Sequence, residues 1–104
     1  MRTAEVYVDG YFAGLLTEND TKRYSFEYLP DYFGAPVSYT MPVSQRRYDF
    51  ETFPPFFEGL LPEGYNLDAL LMKQKIDRND YFSQLLAVGE DMIGDVTVKP
   101  IQII

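Results

Sequence analysis

The chain has 104 residues, a formal net charge of −7, no cysteine and no histidine. This length fits a single domain over residues 1–104, and the missing residue types exclude disulfides, thiolate metal sites and the commonest general base. The acidic charge opposes direct binding to nucleic acid, which needs a basic surface. The sequence contains neither a signal segment nor an apolar run near the ~20 residues that cross a bilayer. We therefore expect a cytoplasmic protein that does not enter a membrane.

The first half of the chain has the alternating pattern of β-strands. Asp9-Gly10 tolerates the positive φ angles of a type I′ turn and predicts a hairpin. The residues that follow alternate between aromatic and polar side chains, as strands with one buried face do. Together these patterns predict strands near 4–8 and 11–16, a strand within 23–29, a strand at 37–41, and either an edge strand or an ordered loop at 44–51.

The hydrophobic period becomes helical after Thr52. Thr52 is predicted to cap a first helix, whose first turn suits Pro54 and Pro55 and which Pro62 ends. The apolar face of this helix consists of Phe56, Phe57, Leu60 and Leu61.

Two more helices and a strand are predicted to follow. Asn66 is a suitable N-cap for a second helix, which has leucines at 67, 70 and 71. Asn79 or Asp80 caps a third helix, and Gly89 is predicted to stop it as the C′ residue. A strand at 95–99 closes an α+β fold, a small mostly antiparallel sheet with about three helices packed on one face.

The sequence shows no recognisable catalytic motif. Its acidic pairs fall at predicted turns and helix ends, where carboxylates solubilise a loop or face a helix dipole; these pairs are Glu18/Asp20, Asp77/Asp80 and Glu90/Asp91. The scattered glycines form no phosphate-binding loop, and neither a serine nucleophile elbow nor a kinase catalytic loop is present. We expect no catalytic residue, no cofactor, no metal and no enzymatic activity of the chain alone.

Tyr65 is the most distinctive single residue. It lies between Gly64 and Asn66, outside any apolar stripe, at the corner between two predicted helices. A ring at such a corner either packs on its own domain or anchors a partner protein, since an exposed aromatic buries a large area at a low cost in rotamer entropy. The residues alone leave both interpretations open.

Two segments resemble the N-terminal subdomain of HipA-type serine/threonine kinases. They are "FPPFFEGLLPEG" and "DYFSQLLAVGEDMIGDVTV". The opening "VYVDGYFAGLL" also fits the first hairpin of that family. The matching residues are Pro54 to Phe57, Leu60 to Gly64, Asp80, Phe82, Leu85, Leu86, Gly89, Asp91, Ile93, Gly94 and Val96. In HipA-type toxins a kinase core follows this subdomain, whereas a chain that stops here is similar to HipS, the small separate subunit of tripartite HipBST toxin–antitoxin systems.

The resemblance implies a binding function with two partners. These are a HipA-like kinase toxin (HipT), which the chain would bind and inhibit in trans, and a HipB-like DNA-binding protein in a larger complex. Fused kinases usually have a polar or charged residue where this chain has Tyr65. We therefore expect Glu63, Gly64, Tyr65 and Asn66 to bind the partner, with the Tyr65 ring in or near the nucleotide or substrate cleft of the kinase.

Three other interpretations remain open at this point. The chain could be a structural subunit that completes the kinase without inhibiting it, or a bridge between the kinase and the DNA-binding subunit. It could also be a truncated kinase, although it starts with Met1 and shows no kinase motif.

Overall fold

The computed structural model describes residues 1–90 and 94–101. Asp91 and Ile93, which the sequence comparison used, lie outside this part of the chain. The elements are β1 (Arg2–Val8), β2 (Tyr11–Glu18), β3 (Tyr24–Tyr28), β4 (Arg47–Phe50), α1 (Pro55–Glu58), α2 (Gly64–Gln74), α3 (Tyr81–Val88) and β5 (Val96–Pro100). The predicted α+β fold is confirmed.

The five strands form one antiparallel sheet in the order β4-β3-β2-β1-β5. Asp9 and Gly10 both have positive φ angles, 52° and 83°, as a type I′ turn between β1 and β2 requires. The predicted first, second, third and last strands are therefore confirmed. The polar segment 44–51 contains β4, an edge strand.

The core lies between one face of the sheet and the helices. Alternate residues of the strands are buried on this face, because successive side chains of a strand point to opposite sides. Phe26 has its ring centroid 4.8 Å from that of Tyr28 and 6.1 Å from that of Phe57 in α1. The other large contributors are Val6, Val8, Leu16, Phe82, Leu85 and Val98.

The opposite face of the sheet remains partly open. Tyr7 of β1 stacks on Phe12 of β2 with a centroid distance of 5.1 Å. The Lys99 ammonium lies 5.0 Å from the centre of the Tyr7 ring. In the described part of the chain no helix covers these rings, so they are only half-buried.

Residues 37–41 do not form the predicted strand. They form a turn whose only sheet-like contact, among the residues described, is a bridge between Ser38 and Met41. The buried Tyr28 hydroxyl fastens both sides of this turn, since it accepts a hydrogen bond from the Val37 amide (2.9 Å) and donates one to the Met41 carbonyl (2.5 Å). The Val37 N–H and the Met41 C=O, which a neighbouring strand would satisfy in a sheet, therefore form hydrogen bonds with the Tyr28 hydroxyl.

Helix α1 is shorter than predicted. Its N-cap is Pro54 rather than Thr52, and a proline in the first turn is confirmed. The helix ends at Glu58 with Gly59 as its C-cap, before Pro62. Of its predicted apolar face, Phe57 is buried, whereas Phe56, Leu60 and Leu61 are half-buried against the core.

Helix α3 begins as predicted and ends for a different reason. The Asp80 carboxylate accepts a hydrogen bond from the Ser83 amide at 3.2 Å, which makes Asp80 the N-cap. Gly89 does end the helix, but as its right-handed C-cap (φ −60°) rather than as the predicted C′ residue. A Cβ at this position would lie 2.2 Å from the Val98 carbonyl oxygen. The glycine is needed because α3 meets β5 there, where the Val98 amide donates to the Gly89 carbonyl at 2.9 Å.

Candidate partner-binding site

The corner predicted to bind a partner, residues 63–66, forms the start of α2. Glu63 is extended (φ −129°, ψ 162°) and is the N-cap residue. Gly64 has φ +58°, a conformation that glycine adopts without steric cost. The N-cap is therefore Glu63 and the helix begins three residues earlier than predicted, so the prediction of Asn66 as its N-cap is wrong. All four residues of the corner are exposed.

Tyr65 projects from the first turn of α2. Its side chain is 93% exposed, so the ring does not pack on its own domain. This exposure agrees with the position of the residue outside the apolar stripe of the helix. What the ring contacts in a complex stays a prediction.

Helix α2 carries a second, outward-facing apolar stripe. Its leucines, at 67, 70 and 71, are half-buried, and no residue of the helix is fully buried. Tyr65, Ala69 and Met72 are exposed and follow one another at i, i+4 and i+7, which places them on one face. Met72 is 82% exposed. The surface that begins at Tyr65 therefore continues along the helix.

An ion pair connects α2 to the segment before α3. The Arg78 guanidinium donates to the Asp68 carboxylate at 2.5 Å, and Lys75 takes a left-handed conformation (φ 54°) that ends α2. Both side chains of this pair are more than half exposed, so it links α2 to the turn that follows the helix but contributes little to stability.

Arg2 joins the start of α3 to the first two strands. Its guanidinium contacts the Glu18 carboxylate at 2.8 Å, the Asp80 carboxylate at 2.9 Å and the Ser83 hydroxyl at 2.9 Å. It also lies 4.9 Å from the centre of the Phe82 ring. Burial alone would raise the pKa of Asp80, but the hydrogen bonds from Arg2 and Ser83 outweigh it and lower the pKa. The Asp80 carboxylate thus stabilises the fold.

Other acidic residues of the predicted pairs also contact neighbouring groups. The Glu18 carboxylate accepts a hydrogen bond from the Tyr24 hydroxyl at 2.8 Å. Burial, together with this bond, raises the pKa of Tyr24 to about 12. Asp20 lies 3.0 Å from the N-terminal ammonium, and Asp77 accepts from the Asn79 amide at 2.7 Å.

Over 1–90 and 94–101, no three acidic side chains come close enough together to hold a metal ion. None of the helices in this part of the chain has both the length and the apolar character needed to cross a bilayer.

Three further exposed aromatic residues were not singled out by the sequence patterns. Tyr39 is 99% exposed at the tip of the 37–41 turn. Phe33 and Tyr11 are 76% and 72% exposed. The flanking Pro36 and Pro42 were a signal that this segment turns rather than extends. No local signal links Phe33 to Tyr11, because Tyr11 starts β2 whereas Phe33 lies in the later 29–35 loop.

The chain was compared with known families, proteins and structures. Residues 4–99 match the HipA N-terminal domain family. A protein of Haemophilus influenzae, described as uncharacterized, is 38% identical over 99 residues, which cover 95% of this chain and 92% of that protein. A solved structure described as the N-terminal domain of HipA toxin superposes with a TM-score of 0.79 at 35% identity, over 98% of this chain and 94% of that one.

These findings agree with the sequence motifs and with the observed topology. A family match over nearly the whole chain, together with a relative well above 30% identity, establishes common descent as well as a common fold. The chain belongs to the HipA N-terminal domain family.

Proposed function

We propose that the chain is the antitoxin of a HipA-related toxin–antitoxin system. It binds a HipA-like serine/threonine kinase (HipT) in trans and inhibits it, and a HipB-like DNA-binding protein joins the complex. Membership of the HipA N-terminal domain family supports the connection to such a kinase. The resemblance to HipS supports inhibition by a separate subunit. In this proposal the chain performs no chemistry and needs no cofactor.

The observation that carries the proposal is the exposure of Tyr65. A tyrosine that is 93% exposed on the first turn of a helix gains most from burial in a partner. An aromatic side chain buries about 150–250 Å², which corresponds to roughly 4–6 kcal/mol of gross hydrophobic free energy. Part of this is lost to the ordering of the interface. A net contribution of about 2 kcal/mol or more, as for other interface hot spots, remains.

Inhibition then follows from occupancy of the kinase cleft. A ring inside the nucleotide or substrate cleft excludes ATP or holds the two lobes apart, and neither effect needs a reactive group. The exposed Glu63 carboxylate, next to the helix corner, is placed to pair with a lysine or arginine of the cleft. Such a pair would orient the corner as it enters.

Co-expression with the kinase tests the proposal. The unchanged chain should restore growth, whereas Tyr65→Ala should lose the rescue and weaken binding about 30-fold or more. Tyr65→Phe should retain most of the effect, because it keeps the ring. Tyr39→Ala is the matched control, since it removes an equally exposed tyrosine elsewhere. Glu63→Gln separates charge pairing from filling of the cleft. Unchanged rescue and affinity with Tyr65→Ala would refute the role of this corner.

A second candidate function is a structural subunit that completes the kinase fold or bridges the kinase to the DNA-binding repressor. The partly open face of the sheet, with the stacked rings of Tyr7 and Phe12, favours it. Kinase activity without this protein separates the two functions. An antitoxin lowers the activity, whereas a completing subunit is required for it.

A further inference from the structure

A groove lies at the end of the sheet that carries the β1–β2 hairpin turn. It has a volume of about 530 Å³ between this turn and the 29–35 loop. Its apolar lining includes Tyr11, Phe12, Leu29 and Phe33. Tyr11 and Phe33 are 72% and 76% exposed. None of these residues belongs to the 63–66 corner, so the groove is separate from the surface proposed above.

The walls of the groove are formed in advance by hydrogen bonds. The Leu29 amide donates to the Ala13 carbonyl at 2.8 Å, and the Tyr32 amide donates to the Leu29 carbonyl at 3.0 Å. The Arg46 guanidinium donates to the carbonyls of Leu29, Tyr32 (2.8 Å) and Val43 (3.0 Å). A partner therefore meets an ordered loop and loses little entropy in fixing it.

The charge of the groove is negative. Asp9 and Asp31 both line it, and Asp95 lies next to Asp9, whose amide donates to the Asp95 carbonyl at 2.8 Å. Within residues 1–90 and 94–101, none of these three carboxylates lies within 4.0 Å of a lysine or arginine nitrogen. The groove thus offers carboxylates whose charge is not balanced by a nearby ion pair.

One ring of the groove already binds a guanidinium. The Arg46 guanidinium carbon lies 4.7 Å from the centre of the Phe33 ring. Arg46 is not among the residues that line the groove, and the ring remains largely exposed. A second planar cation can therefore stack on the free side of Phe33 while a carboxylate of the rim binds its N–H groups.

We propose that this groove binds an arginine-bearing segment of a partner protein. The apolar lining contacts the methylene groups of the arginine side chain. The Phe33 ring stacks on the guanidinium plane, and the carboxylate of Asp9 or Asp31 pairs with the guanidinium charge. Arginine fits better than lysine, because its guanidinium is planar and donates in a fork that matches a carboxylate.

Nuclear magnetic resonance titration with short capped peptides tests the proposal. The probes are Gly-Arg-Gly-Arg-Gly and the analogues with lysine or citrulline in place of arginine. The arginine peptide should shift the signals of Tyr11 and Phe33 and bind about threefold tighter than the lysine peptide. The citrulline peptide should not bind. Absence of binding at millimolar arginine peptide, or equal binding of citrulline, would overturn the proposal.

Matched variants distinguish the groove from the general field of an acidic protein. Asp9→Asn with Asp31→Asn should weaken binding roughly three- to tenfold, and asparagine keeps the positive φ of the turn. Glu51→Gln with Glu58→Gln removes the same charge at exposed positions outside the groove and should have much less effect. Equal losses from both pairs would show that only net charge matters.

Two single variants complete the test. Phe33→Leu keeps apolar bulk and should abolish the preference for arginine over lysine; a retained preference contradicts the stacking. Tyr65→Ala should leave peptide binding unchanged, and this keeps the result independent of the kinase experiments. A loss of peptide binding in Tyr65→Ala would place the peptide elsewhere and overturn the proposal.

Discussion

Removal of the Tyr28 hydroxyl should destabilise the protein strongly. In Tyr28→Phe, the Val37 amide and the Met41 carbonyl lose the atom that satisfies both of them. Val37 and Met41 are only 5% and 2% exposed, so water does not replace the bond readily. Each buried group left without a partner costs about 1–3 kcal/mol. We expect the free energy of unfolding to fall by about 2–4 kcal/mol, a large part of the roughly 5–15 kcal/mol available to a domain.

Urea denaturation and calorimetry measure this loss. The midpoint temperature should fall by roughly 10–25 °C, with an unchanged urea m-value, and exchange of the Val37 amide should accelerate more than that of other core amides. Tyr48→Phe is the matched control, since the Tyr48 hydroxyl donates to the Pro42 carbonyl in an exposed position, and it should cost less than about 0.5 kcal/mol. A loss below about 1 kcal/mol in Tyr28→Phe would refute the bridging role of the hydroxyl.

Three further predictions concern the packing of α3 and the region around Tyr24. Asp80→Asn should lower the free energy of unfolding at pH 7 by about 1–3 kcal/mol, because Arg2 loses a carboxylate. The native pKa of Asp80 lies below its unfolded value, so its contribution is present above about pH 4 and is lost as the pH falls through the native pKa; the acid-induced loss should be smaller in the variant. Gly89→Ala should destabilise the protein by about 1–3 kcal/mol in urea denaturation, despite the better helix propensity of alanine, because its Cβ would clash with Val98. In a spectrophotometric titration at high pH, Tyr24 should ionise at about 12, so stability should fall from about pH 10 upwards. If Asp80→Asn loses as much stability at low pH as the unchanged protein, the ion pair with Arg2 is contradicted. Wild-type stability in Gly89→Ala would contradict the close approach of Val98. Ionisation of every tyrosine near pH 10 would contradict the contacts of Tyr24.

Most of the strands could be predicted because alternation is a local signal. The same signal failed at residues 37–41, where the backbone is satisfied by the hydroxyl of Tyr28. That partner lies 9 residues before Val37 and 13 before Met41, and no pattern within the segment encodes it. The predicted start of α2 was wrong for a related reason. Both Gly64 and Asn66 are reasonable helix boundaries, and only the observed φ of +58° at Gly64 selects the earlier one.

The candidate site was only partly predictable. Tyr65 could be singled out because it lies outside the apolar stripe of its helix, and its exposure follows from the same pattern. The groove between the hairpin turn and the 29–35 loop had no signal in the sequence, since Tyr11 and Phe33 line the same groove only after three strands have paired. The reason for Gly89 was hidden in the same way, because it depends on the approach of β5 from a later part of the chain.

The proposed inhibition of a HipA-like kinase depends on the Tyr65 ring entering the kinase cleft. Phosphotransfer by the purified kinase, titrated with the unchanged chain and with Tyr65→Ala, is the decisive measurement. We predict stoichiometric loss of kinase activity with the unchanged chain, and for Tyr65→Ala a requirement for about 30-fold more protein or more. Full kinase activity in the saturated complex, or activity that appears only when the chain is bound, would contradict it.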